Sequence, residues 1–561
     1  MPTNTYDSWG SAAERFADGS ICLGIDLGTT NSCVGMWYVD RNHVKILKNR
    51  FDRGRTMPSV VHFDPDSQSV DVGNQAIRLE TLDPVGNTIR SIKRLLGHKF
   101  KSKATDVARI YASYEVVPTA QQNVAVQVVR SHKKVHVEPE EVSAYILREL
   151  KASAEAYFDG HTSLDNVVIT VPAYFSDTQR KATITSASMA GFKTVRLLNE
   201  PTAAAMAYGL FLSGQKLVTV VDFGGGTLDV SILRIHDGKF EVLGIGGDTH
   251  LGGEDINNIL LDHVLETLCE RYHVTRAQVN EKALVRLKQE VEKAKIMLSD
   301  TESVTILAHE IGNIPKCTYT LTRRTFEQVC DPIWTKCLRI VSTLLKEAHV
   351  EAADMDEVVL VGGSTRIPIL RSKVSAAFNH KELCMSVHAD EVVCEGAAIQ
   401  AAILSGMDPK VFRDVLMMDV LPLPIGLAKA DGTMEILLPQ NARIPTSVTK
   451  YFETHDDGQR GLTIEVYEGH EAMAKDNDHI CYFNFALPRN KIGKAGEFTH
   501  PVTFTMNASG ILQVQAGVHH DAEESPMSKT AIYLMGAYIF ALFGLYVFFR
   551  IYFVDKRDIT A

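Results

Sequence analysis

A short pattern that occurs twice, far apart, restricts this chain more than any other feature. Gly24-Ile25-Asp26-Leu27-Gly28-Thr29-Thr30 and Val221-Asp222-Phe223-Gly224-Gly225-Gly226-Thr227 each close an apolar, β-type run with an aspartate and a turn of glycine and threonine. The aspartate suits a hydrated metal ion. The glycines let backbone N–H groups approach phosphate oxygens, and the threonine adds a hydroxyl donor. One copy alone is more often an ordinary hairpin end. Two copies, each after an apolar run, predict duplicated lobes that face one nucleotide across a cleft.

The chain of 561 residues, 45% of them hydrophobic, has material for several cores. Length alone suggests roughly three or four domains. A net charge of −10 argues against a large nucleic-acid footprint. Nine cysteines are scattered without a CxxC pair, which fits reduced, buried thiols better than a disulfide framework or a metal site. The histidines are equally dispersed, with no HExxH spacing. Residues 1–20 lack an apolar run and carry acids, so they read as a flexible leader rather than a secretory signal or a transit peptide.

From Ile21 to about Ser405 strands and helices alternate, which predicts α/β layers. Asn166–Val171 reads as a buried strand stopped by Pro172. Glu200–Tyr208 reads as a helix with Pro201 in its first turn. Ala283–Ser299 reads as an amphipathic helix with Leu284, Leu287, Val291, Ala294 and Leu298 on its apolar face. Val358–Thr365 gives a further strand and turn. After Met407 the texture changes. Asp414–Asp419 is a short apolar segment bracketed by acids. From Leu421 to about Val518 come short strands, including Leu462–Val466, Tyr482–Ala486, Val502–Met506 and Ile511–Gln515, which predict a compact all-β module.

Ala531–Phe549 contains no charged residue. At about 1.5 Å per residue it spans about 28 Å as a helix, close to the roughly 30 Å hydrocarbon core of a bilayer. It therefore predicts a transmembrane helix over 531–554, between a spacer at 519–530 and a short tail at 555–561. The alternative is a buried helix of a soluble fold. Tyr533 and Tyr552 suit interfacial belts, and Arg550 is placed to snorkel.

The strings GIDLGTTNSCVG, IKRLLG, VITVPAYF, LLNEPTAAAMAYGL, DFGGGTLDVSIL, GDTHLGGEDI, LVGGSTRIP and VYEGHEAMAKDN follow one another in this order. In them the chain resembles the Hsp70 chaperones from about Ile21 to about Gln515. The resemblance implies an α/β actin-like ATPase domain of duplicated ribonuclease H-like lobes at 21–408 and an interdomain linker at 409–420. An all-β sandwich that binds peptides follows at 421–518, and the single C-terminal transmembrane helix comes after it. The implied activity is ATP hydrolysis with a low intrinsic rate.

Phosphoryl transfer needs charge neutralisation, positioning and an oriented water. Asp26 and Asp222 are expected to hold Mg2+ through waters. Gly28, Thr29, Thr30 and Asn31 face the phosphates on one side, and Gly224, Gly225, Gly226 and Thr227 on the other. The resemblance implies that Lys93 positions the attacking water and the γ-phosphate. Taken alone, Lys93 beside Arg94 reads more often as a solvated face. Glu200 and Asp229 are the acids expected to orient water, with Thr227 supporting the γ-phosphate. By resemblance Glu292, Lys295 and Ser299 contact ribose and adenine from one helix face. Gly362, Gly363, Ser364 and Arg366 form the opposite wall, joined by Asp390. Ile296 stands where animal cytosolic relatives often carry a second stacking arginine. The implied cofactors are ATP or ADP with Mg2+, and K+ as an additional cation.

The segment Asp414–Asp419 resembles the linker that docks in one nucleotide state and is released in the other. Pro172, Arg180 and Glu200 match positions that relay nucleotide state, and Arg196 and Asp419 match positions near the J-domain contact. Leu427, Phe452, Leu462 and Ile464 align with the hydrophobic peptide groove, and Ala430 and His455 with the arch above it. As single residues they read more often as core. A usual family member continues beyond Gln515 with a last strand and a helical lid. Here Asp521–Pro526 leads directly into the apolar segment. The implied partners are unfolded or nascent polypeptides, a J-domain cochaperone, a nucleotide exchange factor and a lipid membrane, with no nucleic acid. The expected topology is a C-terminal anchor with the bulk in the cytosol, at the endoplasmic reticulum or the mitochondrial outer membrane. Lys556 and Arg557 favour the cytosol under the positive-inside rule, but the large preceding domain has no export signal. The leading reading is a membrane-tethered, lidless chaperone. The alternatives are an ATP-binding scaffold or cochaperone without peptide cycling, and a small-molecule kinase on the same ATPase fold.

Overall fold

The two Asp–Gly–Thr turns occupy matching places in two sheets. In the computed structural model Cys22–Asp26 lies parallel to Asn166–Val171, with Ile25 opposite Ile169, and turns back antiparallel into Asn31–Tyr38, with Gly24 opposite Gly35. Gln215–Phe223 lies parallel to Glu357–Val361, with Val220 opposite Val359, and turns back into Leu228–His236, with Val221 opposite Val230. Each aspartate thus lies at or one residue before the end of a strand held between its hairpin partner and a parallel strand that arrives much later in the chain. The runs Val167–Val171 and Val218–Phe223 are buried, as parallel strands covered on both faces require.

The structure describes residues 21–516, apart from positions 83, 159–163, 211, 213, 408–411, 413–414 and 488–491. The leader, Asp414 and the apolar segment Ala531–Phe549 lie outside the described residues. Among the described residues no helix is long and apolar enough to cross a membrane. All nine cysteines are free, and six are buried.

The first sheet runs Thr194–Asn199, Asn166–Val171, Cys22–Asp26, Asn31–Tyr38, His43–Ile46, with Met57–Pro58 beside Asn31–Tyr38. The second runs Glu357–Val361, Gln215–Phe223, Leu228–His236, Lys239–Asp248, Leu416–Val420, Arg443–Ile444. Each sheet has a core of its own. A third core, with Trp37, Val168, Ala203, Val220, Val359 and Ala397, is shared by both. Helices Glu200–Gly209 and Val392–Leu404 meet in this shared core at backbone contact. A Cβ on Gly396 would lie 1.9 Å from the Ala203 carbonyl oxygen. The alanine-rich strings of both helices follow from that approach, since larger side chains would force the backbones apart.

Helix Glu281–Met297 is capped by the Asn280 side chain, which accepts from the Ala283 N–H. Its buried face carries Leu287, Val291 and Ala294 as expected. The expected core position Leu284 is only half-buried, and Val285 takes the buried place beside it. Leu284 still packs against that core from its edge.

The acid-bracketed segment forms a strand, Leu416–Val420, added in parallel to Lys239–Asp248, with Phe240 opposite Met417. Arg443–Ile444 pairs on its other side, with Asp419 opposite Ile444. Met417 and Val420 are buried in the shared core. Beyond Leu421 the described residues form strands and one short 3-10 turn, Ala474–Asp476. One sheet runs Met434–Leu438, Ile425–Ala428, Gly461–Glu468, Asp478–Ala486, and another runs Thr446–Glu453, Thr499–Met506, Leu512–Ala516. The four strands expected in this region are all present.

The chain divides into two compact units. The larger comprises the chain up to Val448 with Thr463–Phe483 and Thr505–Gln513. The smaller comprises Thr449–Leu462, Asn484–Phe504 and the described residues from Val514 onward. Within the smaller unit the Thr449 and Thr503 hydroxyls lie 2.8 Å apart, and the Phe452 and Phe504 rings pack at 6.4 Å.

Candidate active site

The turns after Asp26 and Asp222 meet face to face. A Cβ on Gly225 would lie 1.9 Å from the Thr30 hydroxyl oxygen, and one on Gly226 would lie 2.2 Å from that of Thr29. Only glycine fits this approach. The cleft beside it is a cavity of about 660 Å3. Asp26, Gly28, Thr29, Thr30, Asn31, Lys93, Glu200, Asp222 and Gly224–Thr227 line it. Glu292, Lys295, Ser299, Gly362, Gly363, Ser364, Arg366 and Asp390 line its other end. Of the expected nucleotide-site residues only Asp229 is not on the wall. It lies directly behind, fully buried, with one carboxylate oxygen accepting from the Tyr174 N–H at 3.4 Å.

The glycine turn is tied from the back. The Gly224 carbonyl accepts from the Gly253 N–H at 3.0 Å and the Ser364 hydroxyl at 2.8 Å. The Gly225 carbonyl accepts from the Glu254 N–H at 2.8 Å. The Gly226 carbonyl accepts from Arg94 Nη2 at 2.8 Å. In a trans peptide the C=O and the following N–H point in opposite directions. Holding three carbonyls outward therefore turns the N–H groups of Gly225, Gly226 and Thr227 the other way. Successive N–H groups so presented form a nest for phosphate oxygens.

Charge is concentrated beside this nest. Lys93 Nζ donates to Glu200 Oε1 at 2.6 Å, and both side chains are buried. Asp26, Asp222 and Asp229 complete a group of four carboxylates around one ammonium. Burial pushes Asp26 up to about 7, with the Glu200 charge adding to it and Lys93 opposing. Burial and then Glu200 push Asp229 up to about 7. Burial, then Glu200 and Asp229, raise Asp222 well above the carboxylate range. Such an excess of buried negative charge fits a cation. No three ligating groups among the described residues lie close enough to bind a metal directly. A Mg2+ ion that keeps its waters suits Asp26 and Asp222.

At the far end of the cavity Lys295 Nζ donates to the Gly253 carbonyl at 3.1 Å. Burial lowers its pKa and raises that of Glu292. Arg366 and Asp390 make a two-bond pair at 2.8 and 2.7 Å, which holds the planar guanidinium on the cavity wall. Ile296 lines the same cavity, 61% exposed.

Glu200 is the first residue of its helix, so its neighbour Asn199 is fixed by the same turn. Asn199 Nδ2 donates to Asp419 Oδ2 at 3.0 Å, and the Thr202 hydroxyl donates to the same oxygen at 3.1 Å. The Asn199 side-chain oxygen accepts from buried Arg180, which also holds the carbonyls of Ala173, Phe175 and Ser509. Pro172, just before, is buried. Glu468 accepts from the Asp177 N–H at 3.0 Å, and burial raises its pKa to about 8.

The groove residues are distributed differently. Leu427 and Ile464 are buried in the larger unit, where Ala430 is exposed. Phe452, His455 and Leu462 belong to the smaller unit, with Leu462 buried and His455 exposed. Neither unit by itself brings the six together. Among the described residues the Arg196 side chain donates to the Val195 carbonyl, at 3.5 Å.

Arg94 is the residue that sequence reading missed. It is not a solvated face: its side chain is 9% exposed and paired with Asp255. The only signal was its place in IKRLLG, next to Lys93.

The raised aspartates set a pH dependence. Asp26 and Asp229 bind protons in the ligand-free fold between about pH 4 and 7, where an unfolded aspartate has lost them, so their contribution to stability falls as pH rises through that window. The prediction is that Asp229→Asn raises the melting midpoint of the nucleotide-free protein at pH 8 relative to the unaltered chain. The difference shrinks towards pH 5. Thermal melts across pH check it.

Comparison with known proteins gives the site its family. A family model described as Hsp70 protein matches residues 22–533. The chain is 39% identical over 500 residues to the heat shock cognate 70 kDa protein 3 of Dictyostelium discoideum, covering 88% of this chain and 78% of that protein. It is 40% identical over 498 residues to a heat shock 70 kDa protein of Neurospora crassa, covering 88% and 75%. A heat shock cognate HSP70 protein of Trypanosoma brucei brucei is 38% identical over 501 residues, covering 88% and 72%. With its paired phosphate turns, buried acids and these similarities, the chain belongs to the Hsp70 family, chaperones whose actin-like domain binds ATP or ADP with Mg2+ and hydrolyses ATP.

Proposed function

We propose that this chain is a membrane-tethered Hsp70 chaperone in which ATP binding and hydrolysis in the cleft drive binding and release of unfolded polypeptide segments by the β-module. The observation that carries the coupling is the Asn199–Asp419 hydrogen bond. It joins the residue beside Glu200 to the strand Leu416–Val420. A nucleotide that reorganises the Lys93–Glu200 pair alters the N-terminus of helix Glu200–Gly209, and with it the hold on Asp419. Differential contacts of this kind let one site bias another.

In the cleft, the Gly225–Thr227 amides and the Thr29 and Thr30 hydroxyls bind and orient the phosphates. Lys93 places its ammonium beside the transferred phosphoryl group, and Glu200 and Asp229 orient water. Bound Mg2+ supplies charge neutralisation, with K+ as an additional cation. Positioning and electrostatics account for the rate without a strong base.

The tether rests on Ala531–Phe549, long and apolar enough to span a bilayer. The acidic spacer leads into it from the β-module. A J-domain cochaperone and an exchange factor complete the cycle, on the cytosolic face of the endoplasmic reticulum or the mitochondrial outer membrane. The second reading is an ATP-binding scaffold or cochaperone without peptide cycling.

Two experiments test this. With the full chain in lipid nanodiscs, a fluorescent apolar peptide binds and ATP releases it. Asp419→Ala abolishes the ATP-triggered release while hydrolysis stays within about threefold, since Asp419 does not line the cleft. A folded, ATP-binding chain that takes up no peptide moves the reading to the scaffold. In sealed membrane vesicles, added protease digests the ATPase domain if it faces the cytosol, and protection of that domain contradicts the topology.

A further inference from the structure

We propose that Arg94 is a positioning residue for phosphoryl transfer, which builds the phosphate nest only when the two lobes are closed on each other. The inference rests on the nucleotide reading of the cleft and adds a residue that the reading did not use. Ile92–Arg94 is a single 3-10 turn entered through Ser91 at φ 54. The turn sends consecutive side chains in different directions. Lys93 goes into the cleft to Glu200. Arg94 goes to the other lobe, where Nη1 donates to Asp255 Oδ1 at 3.0 Å and Nη2 donates to both Asp255 Oδ2 and the Gly226 carbonyl. Asp255 is itself fixed, because Oδ2 accepts from the Gly252 N–H at 2.7 Å at the start of helix Gly253–Tyr272.

Four donors hold the carbonyls of the glycine turn outward: the Gly253 and Glu254 N–H groups, the Ser364 hydroxyl and Arg94 Nη2. Three of them belong to the same lobe as the turn and stay with it however the cleft opens. Arg94 alone among the four comes from the other lobe. It fixes the Gly226–Thr227 peptide plane, and thereby the direction of the Thr227 N–H, opposite the Gly226 carbonyl. Opening the cleft withdraws Arg94 and frees that plane, while the Gly225 and Gly226 amides stay set. One phosphate donor is thus conditional on closure, and so is Lys93, carried on the same turn. The planar guanidinium places two nitrogens on the two Asp255 carboxylate oxygens while Nη2 also holds the Gly226 carbonyl, a fork that the single ammonium of lysine does not reproduce.

The test compares Arg94→Lys and Arg94→Ala with the unaltered full chain, in single-turnover ATP hydrolysis and in ATP affinity. Removal of a directly placed transition-state donor costs on the order of 100- to 1,000-fold in rate, so loss of its positioning residue is expected to cost about 10- to 100-fold. Both variants hydrolyse ATP at least about tenfold more slowly at saturation, while ATP affinity changes less than about threefold, which separates transition-state from ground-state binding. Arg94→Lys keeps the charge opposite Asp255, so it carries the test if Arg94→Ala does not fold. Hydrolysis by Arg94→Lys within threefold of the unaltered chain overturns the proposal. So does a fall in affinity as large as the fall in rate. Lys93→Met serves as the reference for the nucleotide reading itself. If it hydrolyses ATP normally, that reading fails; if it is inactive while Arg94→Lys is normal, only the role of Arg94 fails.

Discussion

The ion pair between Lys93 and Glu200 lies where the two phosphate turns meet, and much else in the structure follows from it. It places one ammonium among four carboxylates, three of them buried. Burying that much unbalanced charge is expensive, and the aspartates respond by holding protons near neutrality. A cation and a polyphosphate in the cleft would balance that charge. Glu200 is the first residue of a helix packed at backbone contact against a second helix. A group in that position cannot shift far without its neighbour Asn199 shifting too.

Asn199 is where the chemistry of the cleft meets the rest of the chain. One of its side-chain atoms holds Asp419 and another holds Arg180. Asp419 lies on a strand that completes the second sheet, and Arg180 reaches the turn at Ser509. Phe412, Met417 and Val420 add an apolar part to these contacts, buried in the shared core.

Much of this was legible in the sequence. The two Asp–Gly–Thr turns gave the duplicated lobes because the pattern combines strand, acid and turn in a fixed order. Pro172 and Pro201 marked a strand end and a helix start for local reasons that tertiary contacts did not override. The order of the quoted strings located the cleft residues, from Asp26 to Asp390. What stayed hidden depends on residues distant in the chain. Arg94 reads as a surface charge until the other lobe supplies Gly226 and Asp255. The outward carbonyls of the glycine turn depend on Gly253, Glu254 and Ser364, which no local pattern connects. Val285 is buried and Leu284 only partly, because the width of the buried stripe is set by what packs against the helix. Glu468 gave no sign that it would be buried against Asp177.

The central claim is that the nucleotide cleft and the strand Leu416–Val420 are coupled through Glu200, Asn199 and Asp419. Amide hydrogen exchange reports it directly, because strand amides exchange only when the pairing opens. The account predicts that the amides of Met417–Val420 exchange at rates at least about tenfold apart with ATP and with ADP bound, a coupling of about 1.4 kcal/mol or more. Equal exchange in the two states, with both nucleotides bound, would contradict it.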